Sequence, residues 1–230
     1  MATIYWAGDS TVQFNNITTY PQTGMGQVLP LYFKPEVKVE NHAKNGRSTK
    51  SFLSDGRLLA IEERISEGDF LFIQFGHNDE KIQDPARYTE PFSEYMSNLE
   101  IFINAAREKK AFPVLITPLE RRCFQENGQL EAGEHCDYVK AMKQTADNLN
   151  VPLIDLYSMS REKLMEAGIQ KTTEWYMHIP AGRYPSRPDG LADNTHLQYE
   201  GAVVFAGCVA QGLKELGGMY SDLLLDELNK

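Results

Sequence analysis

The stretch Ala2-Thr3-Ile4-Tyr5-Trp6-Ala7-Gly8-Asp9-Ser10-Thr11-Val12 runs from β-forming, largely apolar residues into a Gly-Asp-Ser corner. About six residues suffice to cross a sheet, and residues 2–7 supply them. Gly8 permits a sharp turn, so Ser10 is expected at the carboxyl end of a strand, where open α/β sheets keep their ligands. Taken alone, Asp9 and Ser10 suit an ordinary turn or helix cap equally well, so the choice rests on distant partners.

Working outward from that corner, residues 13–23 are polar, and Gly24-Met25-Gly26-Gln27-Val28-Leu29 reads as a short helix stopped by Pro30. Its Gly-x-Gly lacks a third glycine and follows no strand, so a dinucleotide site fails on context. Residues 37–42 alternate as a second strand, followed by the loop Ala43-Lys44-Asn45-Gly46-Arg47-Ser48. Residues 53–65 carry a helical pattern despite Gly56. Phe70-Leu71-Phe72-Ile73-Gln74-Phe75 is the near-continuous apolar run of a strand covered on both faces, and it stops at Gly76-His77-Asn78-Asp79. Residues 89–109 predict an amphipathic helix with Pro91 in its first turn, 113–117 a fourth strand, 138–149 a helix and 151–156 a fifth short strand. From Glu200, the spacing of Ala202, Phe205, Ala206, Val209, Leu213 and Leu216 predicts a last core helix.

Strands alternating with helices specify an α/β, doubly wound parallel sheet. Two stretches, 119–137 and 172–194, match no regular element. Long irregular segments in compact domains are usually functional, and both are expected as walls of a substrate groove.

The 230 residues suffice for one domain with a full core, expected over residues 1–230. A content of 42% hydrophobic and 24% charged residues is that of a globular chain. The balance of 23 basic against 32 acidic residues gives a formal charge of -9, which repels nucleic acid and anionic lipid. The longest apolar run, 201–210, is about half of what a membrane helix needs. The sequence opens directly on a strand without an export signal, so a cytoplasmic protein is expected. Cys123, Cys136 and Cys208 follow no C-x-x-C spacing and read as reduced thiols, with a Cys123–Cys136 bridge left open.

Four loops supply polar residues: Asp9-Ser10, Asn45-Gly46, Asn78-Asp79 and Asp193-Asn194-Thr195-His196. Acyl transfer to a serine needs an imidazole to take its proton, a carboxylate to orient the imidazole, and donors for the oxyanion. Asp193 and His196, three apart, meet if their segment is helical or tightly turned. The backbone N–H of Gly46 and the side-chain amide of Asn78 can aim at an oxyanion. His77 is a candidate support for that loop, whereas His42, His135 and His178 read as structural or surface residues.

These blocks, in this order, resemble those of the SGNH (GDSL-type) hydrolases. Gly-Asp-Ser-Thr-Val at 8–12, Asn45-Gly46-Arg47-Ser48, Phe75-Gly76-His77-Asn78-Asp79 and Asp193-Asn194-Thr195-His196-Leu197, followed by Gly201-Ala202, resemble the rhamnogalacturonan acetylesterases of carbohydrate esterase family twelve. The resemblance implies a three-layer flavodoxin-like fold with Ser10 as nucleophile, His196 as base and Asp193 as its orienting acid. It implies an oxyanion hole from the N–H groups of Ser10 and Gly46 and the amide of Asn78. It further implies no cofactor and no metal, and an acetylated pectic oligosaccharide as substrate.

Three rivals are weighed against this. A metal-dependent phosphoesterase or deacetylase would use His77, Asp79, Asp193 and His196 as ligands, but the usual paired-histidine and Asp-x-His signatures are absent. A carbohydrate-binding module would offer Trp175, Tyr176 and Tyr184 as stacking surfaces. A lipase or thioesterase of the same superfamily would want a large apolar pocket at the loops.

Overall fold

The structure, a computed structural model, describes residues 2–131, 133 and 135–228. Five strands, β1 (Thr3–Gly8), β2 (Lys38–Asn41), β3 (Phe70–Gln74), β4 (Phe112–Ile116) and β5 (Leu153–Ile154), pair in the order β2-β1-β3-β4-β5. Every neighbouring pair is parallel. This is the flavodoxin-like order, in which strand order reverses between β1 and β3 and leaves a crevice beyond their carboxyl ends. The expected α/β class and doubly wound sheet are therefore what the chain forms.

Alternation along the strands divides the core between the two faces of the sheet. Ile4 and Trp6 of β1, with Phe70 and Phe72 of β3, pack toward Met25 and Val28 of α1 (Met25–Val28) and Phe205, Val209 and Leu213 of α7 (Tyr199–Leu216). Tyr5 and Ala7, with Leu71 and Ile73, face the opposite layer. That layer is built from α2 (Thr49–Ser54), α3 (Arg57–Glu62), α4 (Met96–Glu108) and α5 (Cys136–Leu149). β3 is buried throughout, as its unbroken apolar run requires.

Three expectations change. The single helix over 53–65 is two, because Gly56 takes φ 68° and turns the chain between α2 and α3. The fifth strand is only two residues long, and α6 (Leu156–Thr172) follows it unannounced. Its buried positions include Ser160 and Thr172 beside Leu156 and Leu164, so the sequence shows no apolar stripe. Finally, the stretch 172–194 contains β6 (Tyr176–Ile179), which pairs antiparallel with β7 (Leu191–Leu197) in a separate two-stranded sheet. The short α8 (Gly218–Ser221) comes after α7. Cys123, Cys136 and Cys208 stand as thiols, so the bridge between the first two is not formed. Among the described residues, no helix is long and apolar enough to cross a membrane.

Candidate active site

Ser10 sits immediately beyond β1, the strand flanked by β2 and β3. The corner is fixed by Asp9, whose carbonyl accepts from the N–H groups of Val12 and Gln13 at 3.2 and 3.1 Å. Its Oδ1 accepts from both Thr11 N and Thr11 Oγ1 at 2.9 Å. Burial pushes the Asp9 carboxyl up, against the hydrogen bonds from Thr11. Ser10 itself is only 6% exposed, so its hydroxyl is held in a dry corner that nevertheless meets the surface.

The imidazole arrives from the other end of the chain. His196 Nε2 lies 2.9 Å from Ser10 Oγ, and His196 Nδ1 lies 2.6 Å from Asp193 Oδ2. The segment between them is neither a helix nor a simple turn. β7 pairs Asp193 with Met177 and then Leu197 with Tyr176, so residues 194–196 are extruded from the ladder as a bulge. Asp193 Oδ1 closes that bulge by accepting from Thr195 N at 2.8 Å and His196 N at 3.0 Å. Burial raises the Asp193 pKa, but the hydrogen bond and charge of His196, with the two backbone donors, outweigh it and bring the carboxyl down to about 2. The carboxylate is thus ionised at any neutral pH, and it favours the tautomer with hydrogen on Nδ1 and a lone pair on Nε2 facing Ser10.

Two further loops follow β2 and β3, the strands on either side of β1. Gly46 adopts φ 76°, a conformation that side-chain-bearing residues rarely take, and the loop is fastened to the serine segment by Gln13 Oε1, which accepts from Asn45 N. Asn78, buried at the end of the β3 loop, donates from Nδ2 to Arg47 O at 3.0 Å, and its Oδ1 accepts from Arg87 Nη1 at 3.3 Å. A carbonyl on one side and a guanidinium on the other fix which way the amide points and leave one of its two N–H groups uncommitted. Asp79 accepts from Thr49 N and Thr89 Oγ1 at 3.0 Å each and from Thr49 Oγ1. Burial raises it to about 7 against those hydrogen bonds. His77 is buried edge-on against His135, with ring centroids 4.3 Å apart, and burial holds its pKa well below the ordinary histidine value.

The structure therefore brings together Ser10, His196 and Asp193, and separately joins Asn78 to the Gly46 loop. It does not gather the metal-ligand set of the first rival. Asp79 is turned toward Thr49 and Thr89, His77 toward His135, and both ring nitrogens of His196 are engaged. Among the described residues there is no group of three or more His, Cys, Asp or Glu able to hold a metal ion. Trp175 and Tyr176, expected as stacking surfaces in the second rival, are buried against Phe205 instead.

Sequence reasoning missed the supports. Arg122 donates from its backbone to Asn194 O at 2.9 Å and from Nη2 to Ile169 O at 2.6 Å, pinning the bulge to α6. His178 Nε2 lies 2.7 Å from Asn194 Oδ1. Arg122 and Arg87 carried no signal because each acts on a residue distant in sequence or outside its own motif. The described residues of the stretch 119–137 are irregular as expected up to Cys136, where α5 begins, apart from a small bridge between Phe124 and Leu130.

A hydroxyl, an imidazole and a carboxylate in hydrogen-bonded series, beyond the strand ends of a doubly wound parallel sheet, have the general form of an α/β serine hydrolase. The chain belongs to the GDSL-like lipase/acylhydrolase family, whose sequence profile matches residues 4–209. It is 42% identical to rhamnogalacturonan acetylesterase RhgT of Bacillus subtilis strain 168 over 229 residues, which cover 99% of this chain and 96% of that one. Among solved structures, protein YxiM of Bacillus subtilis superposes with a TM-score of 0.81 at 28% identity, covering 95% of this chain and 57% of the longer one. The acetylxylan esterase Axe2 of Geobacillus stearothermophilus superposes with a TM-score of 0.65 at 15% identity, covering 95% of each chain, a likeness of fold.

Proposed function

We propose that this protein is a carbohydrate acetylesterase, a single hydrolase domain that removes O-acetyl groups from rhamnogalacturonan-type oligosaccharides. The observation that carries the reading is the series Ser10 Oγ, His196 Nε2, His196 Nδ1, Asp193 Oδ2 at 2.9 and 2.6 Å. The full-length similarity to RhgT supplies the substrate class.

In this reading His196 Nε2 takes the Ser10 proton as Oγ attacks the acetyl carbonyl carbon. The charge that develops on the carbonyl oxygen is met by the N–H groups of Ser10 and Gly46 and by the free N–H of Asn78. The imidazolium, steadied by Asp193, then gives its proton to the departing sugar oxygen, which leaves an acetyl ester on Ser10. Water, deprotonated by His196, attacks that ester, and acetate leaves as the proton returns to Ser10. Every step uses a group of this chain, so neither a metal nor a cofactor has a part. The thiols at Cys123, Cys136 and Cys208 support work in a reducing compartment, the cytoplasm, on oligosaccharides already taken up. Cell fractionation tests that location.

The deciding experiment is acetate release from acetylated pectic, xylan and chitin oligosaccharides by the wild type and by Ser10→Ala. Release from the pectic panel that Ser10→Ala reduces by about 10⁶ is expected. Wild-type turnover in Ser10→Ala, or preference for xylan or chitin, refutes the reading.

A further inference from the structure

A cavity of 1160 Å³ opens beside the triad without including any of its members. One wall is the segment that follows the nucleophile corner, with Phe14, Ile17 and Tyr20; the other is the β6–β7 hairpin and its tip, with His178, Arg183 and Tyr184. Gln198 and Tyr199, at the entrance to α7, close the third side. Gln198 is two residues from His196, so their Cα atoms lie within about 7 Å of each other. His178, bonded to Asn194 of the bulge, links the cavity wall directly to the segment that displays His196.

The lining is unusual for surface that has nothing to bind. Phe14, Ile17, Tyr20 and Tyr199 are 64, 81, 51 and 58% exposed. Scattered singly, such residues need no explanation, but four around one cavity do. Tyr20 and Tyr184 meet edge to face at 5.3 Å between the two walls, and Ser186 Oγ donates to the Tyr20 backbone carbonyl at 2.7 Å, so the two segments are tied together. Interleaved with them are Asn15, Asn16, Gln22 and Gln27, whose planar amides offer both donors and acceptors. Asn15, Asn16 and Gln27 are bonded within their own segment, whereas Gln22 Nε2 is buried without a partner among the described residues, and a purely apolar acyl tail would leave it so. A sugar ring presents apolar C–H faces for aromatic rings and hydroxyls for amides.

Charge narrows the ligand further. The acidic residues of the lining, Glu174 and Glu200, are both bonded by Lys171. Arg183 lies over the Tyr184 ring at 5.7 Å and makes no ion pair among the described residues. In a chain of formal charge -9, an uncompensated guanidinium at a cavity mouth is a site for a carboxylate.

We propose that this cavity is a second carbohydrate subsite, which holds uronate-bearing sugar residues of the substrate chain beyond the one whose ester is cleaved, with Tyr20 and Tyr184 stacking on rings and Arg183 pairing with a uronate carboxylate. The proposal rests on the acetylesterase reading for its substrate class, but its test does not require ester cleavage. Binding of a de-esterified rhamnogalacturonan oligosaccharide is measured by titration calorimetry with the wild type, Tyr184→Ala and Arg183→Gln, and turnover of an aryl acetate is measured in parallel. Tyr184→Ala should weaken binding about fivefold to tenfold, and Arg183→Gln should weaken it by a similar factor that shrinks in high salt. Aryl acetate turnover should be unchanged in both. No binding by the wild type, or variants that bind as it does, overturns the subsite. Loss of octanoyl-ester turnover in Tyr184→Ala with oligosaccharide binding intact overturns it in favour of an acyl-tail pocket. Binding that behaves as expected, with no acetate released from the acetylated oligosaccharide, leaves the subsite standing and removes the acetylesterase reading alone.

Discussion

Replacing Asp193 with asparagine changes one atom, and the geometry specifies which one. In the native bulge, Asp193 Oδ1 accepts from Thr195 N and His196 N, while Oδ2 faces His196 Nδ1 at 2.6 Å. An asparagine cannot turn its NH₂ toward two backbone donors, so its oxygen must keep the Oδ1 place and its nitrogen must take that of Oδ2. That puts an N–H donor against Nδ1. The imidazole answers by accepting there and carrying its proton on Nε2, where it faces Ser10 Oγ as a donor and has no lone pair with which to take the serine proton. Turnover should fall by about 10⁴, equivalent to roughly 5.5 kcal/mol of transition-state stabilisation, the size of effect known for this exchange in a serine protease triad. Asp193→Ala removes the orienting group without imposing the wrong tautomer, so it should be no more damaging than asparagine. The assay is steady-state hydrolysis of an aryl acetate, with thermal unfolding to establish folding and nitrogen NMR of the His196 ring to read its tautomer. An asparagine variant within tenfold of wild type, or an alanine variant ten times less active than asparagine, refutes the reasoning.

Asn78→Ala should lower kcat by roughly 10²–10³ with little change in KM, since its free N–H is meant for charge present only in the transition state; raised KM with unchanged kcat would move it to substrate binding. Arg87→Ala, which frees the Asn78 oxygen, should cost only about fivefold in kcat, because the contact is 3.3 Å long and the guanidinium is 30% exposed; a loss as large as that of Asn78→Ala would give Arg87 a direct role. Asp79, raised to about 7 from an ordinary 3.8, binds its proton more tightly when folded, so stability should fall as pH rises from about 4 to 7. Thermal unfolding across that range should show a shallower slope in Asp79→Asn, and an identical slope would contradict the assignment. Dialysis against a strong chelator should leave activity unchanged, and inactivation reversed by a divalent ion would revive the metal-dependent rival.

The parts of the site legible in the sequence are those for which polar residues interrupt an apolar run. Asp9-Ser10 after β1 and Asn78-Asp79 after β3 stand out because both strands are buried, so a change of character marks the strand end. The hairpin that carries Asp193 and His196 was not legible for the opposite reason. Leu191-Ala192-Asp193-Asn194-Thr195-His196-Leu197 lacks the alternation of a strand because three of its residues leave the ladder to build the bulge. A segment shaped by its chemistry thus loses the periodicity by which its secondary structure would be recognised. α6 escaped for a different reason, since its buried side holds hydroxyls bonded to neighbours: Ser160 accepts from Glu120 N, and Thr172 accepts from Arg122 Nε.

The same distinction separates the groups proposed to touch substrate from those that hold them. Each residue proposed to act on the ester itself, Ser10, Gly46, Asn78, Asp193 and His196, lies within a short motif whose spacing can be read along the chain. Arg122 reaches Asn194 across 72 residues, and Arg87 reaches Asn78 from beyond the Gly-His-Asn-Asp loop, so only the fold joins them. Their effect is nonetheless local. An asparagine amide can present either its oxygen or its nitrogen at one position, and for Asn78 the guanidinium of Arg87 and the carbonyl of Arg47 tolerate only one of the two. For an oxyanion donor this means that the N–H is aimed before substrate arrives, so no reorientation is charged against the transition state. The bulge does the same for His196, because the two backbone donors that hold Asp193 Oδ1 leave Oδ2 directed at the ring. Orientation of both proposed catalytic elements therefore rests on hydrogen bonds to backbone and to arginine, whose charge does not change over the pH range in which an esterase works.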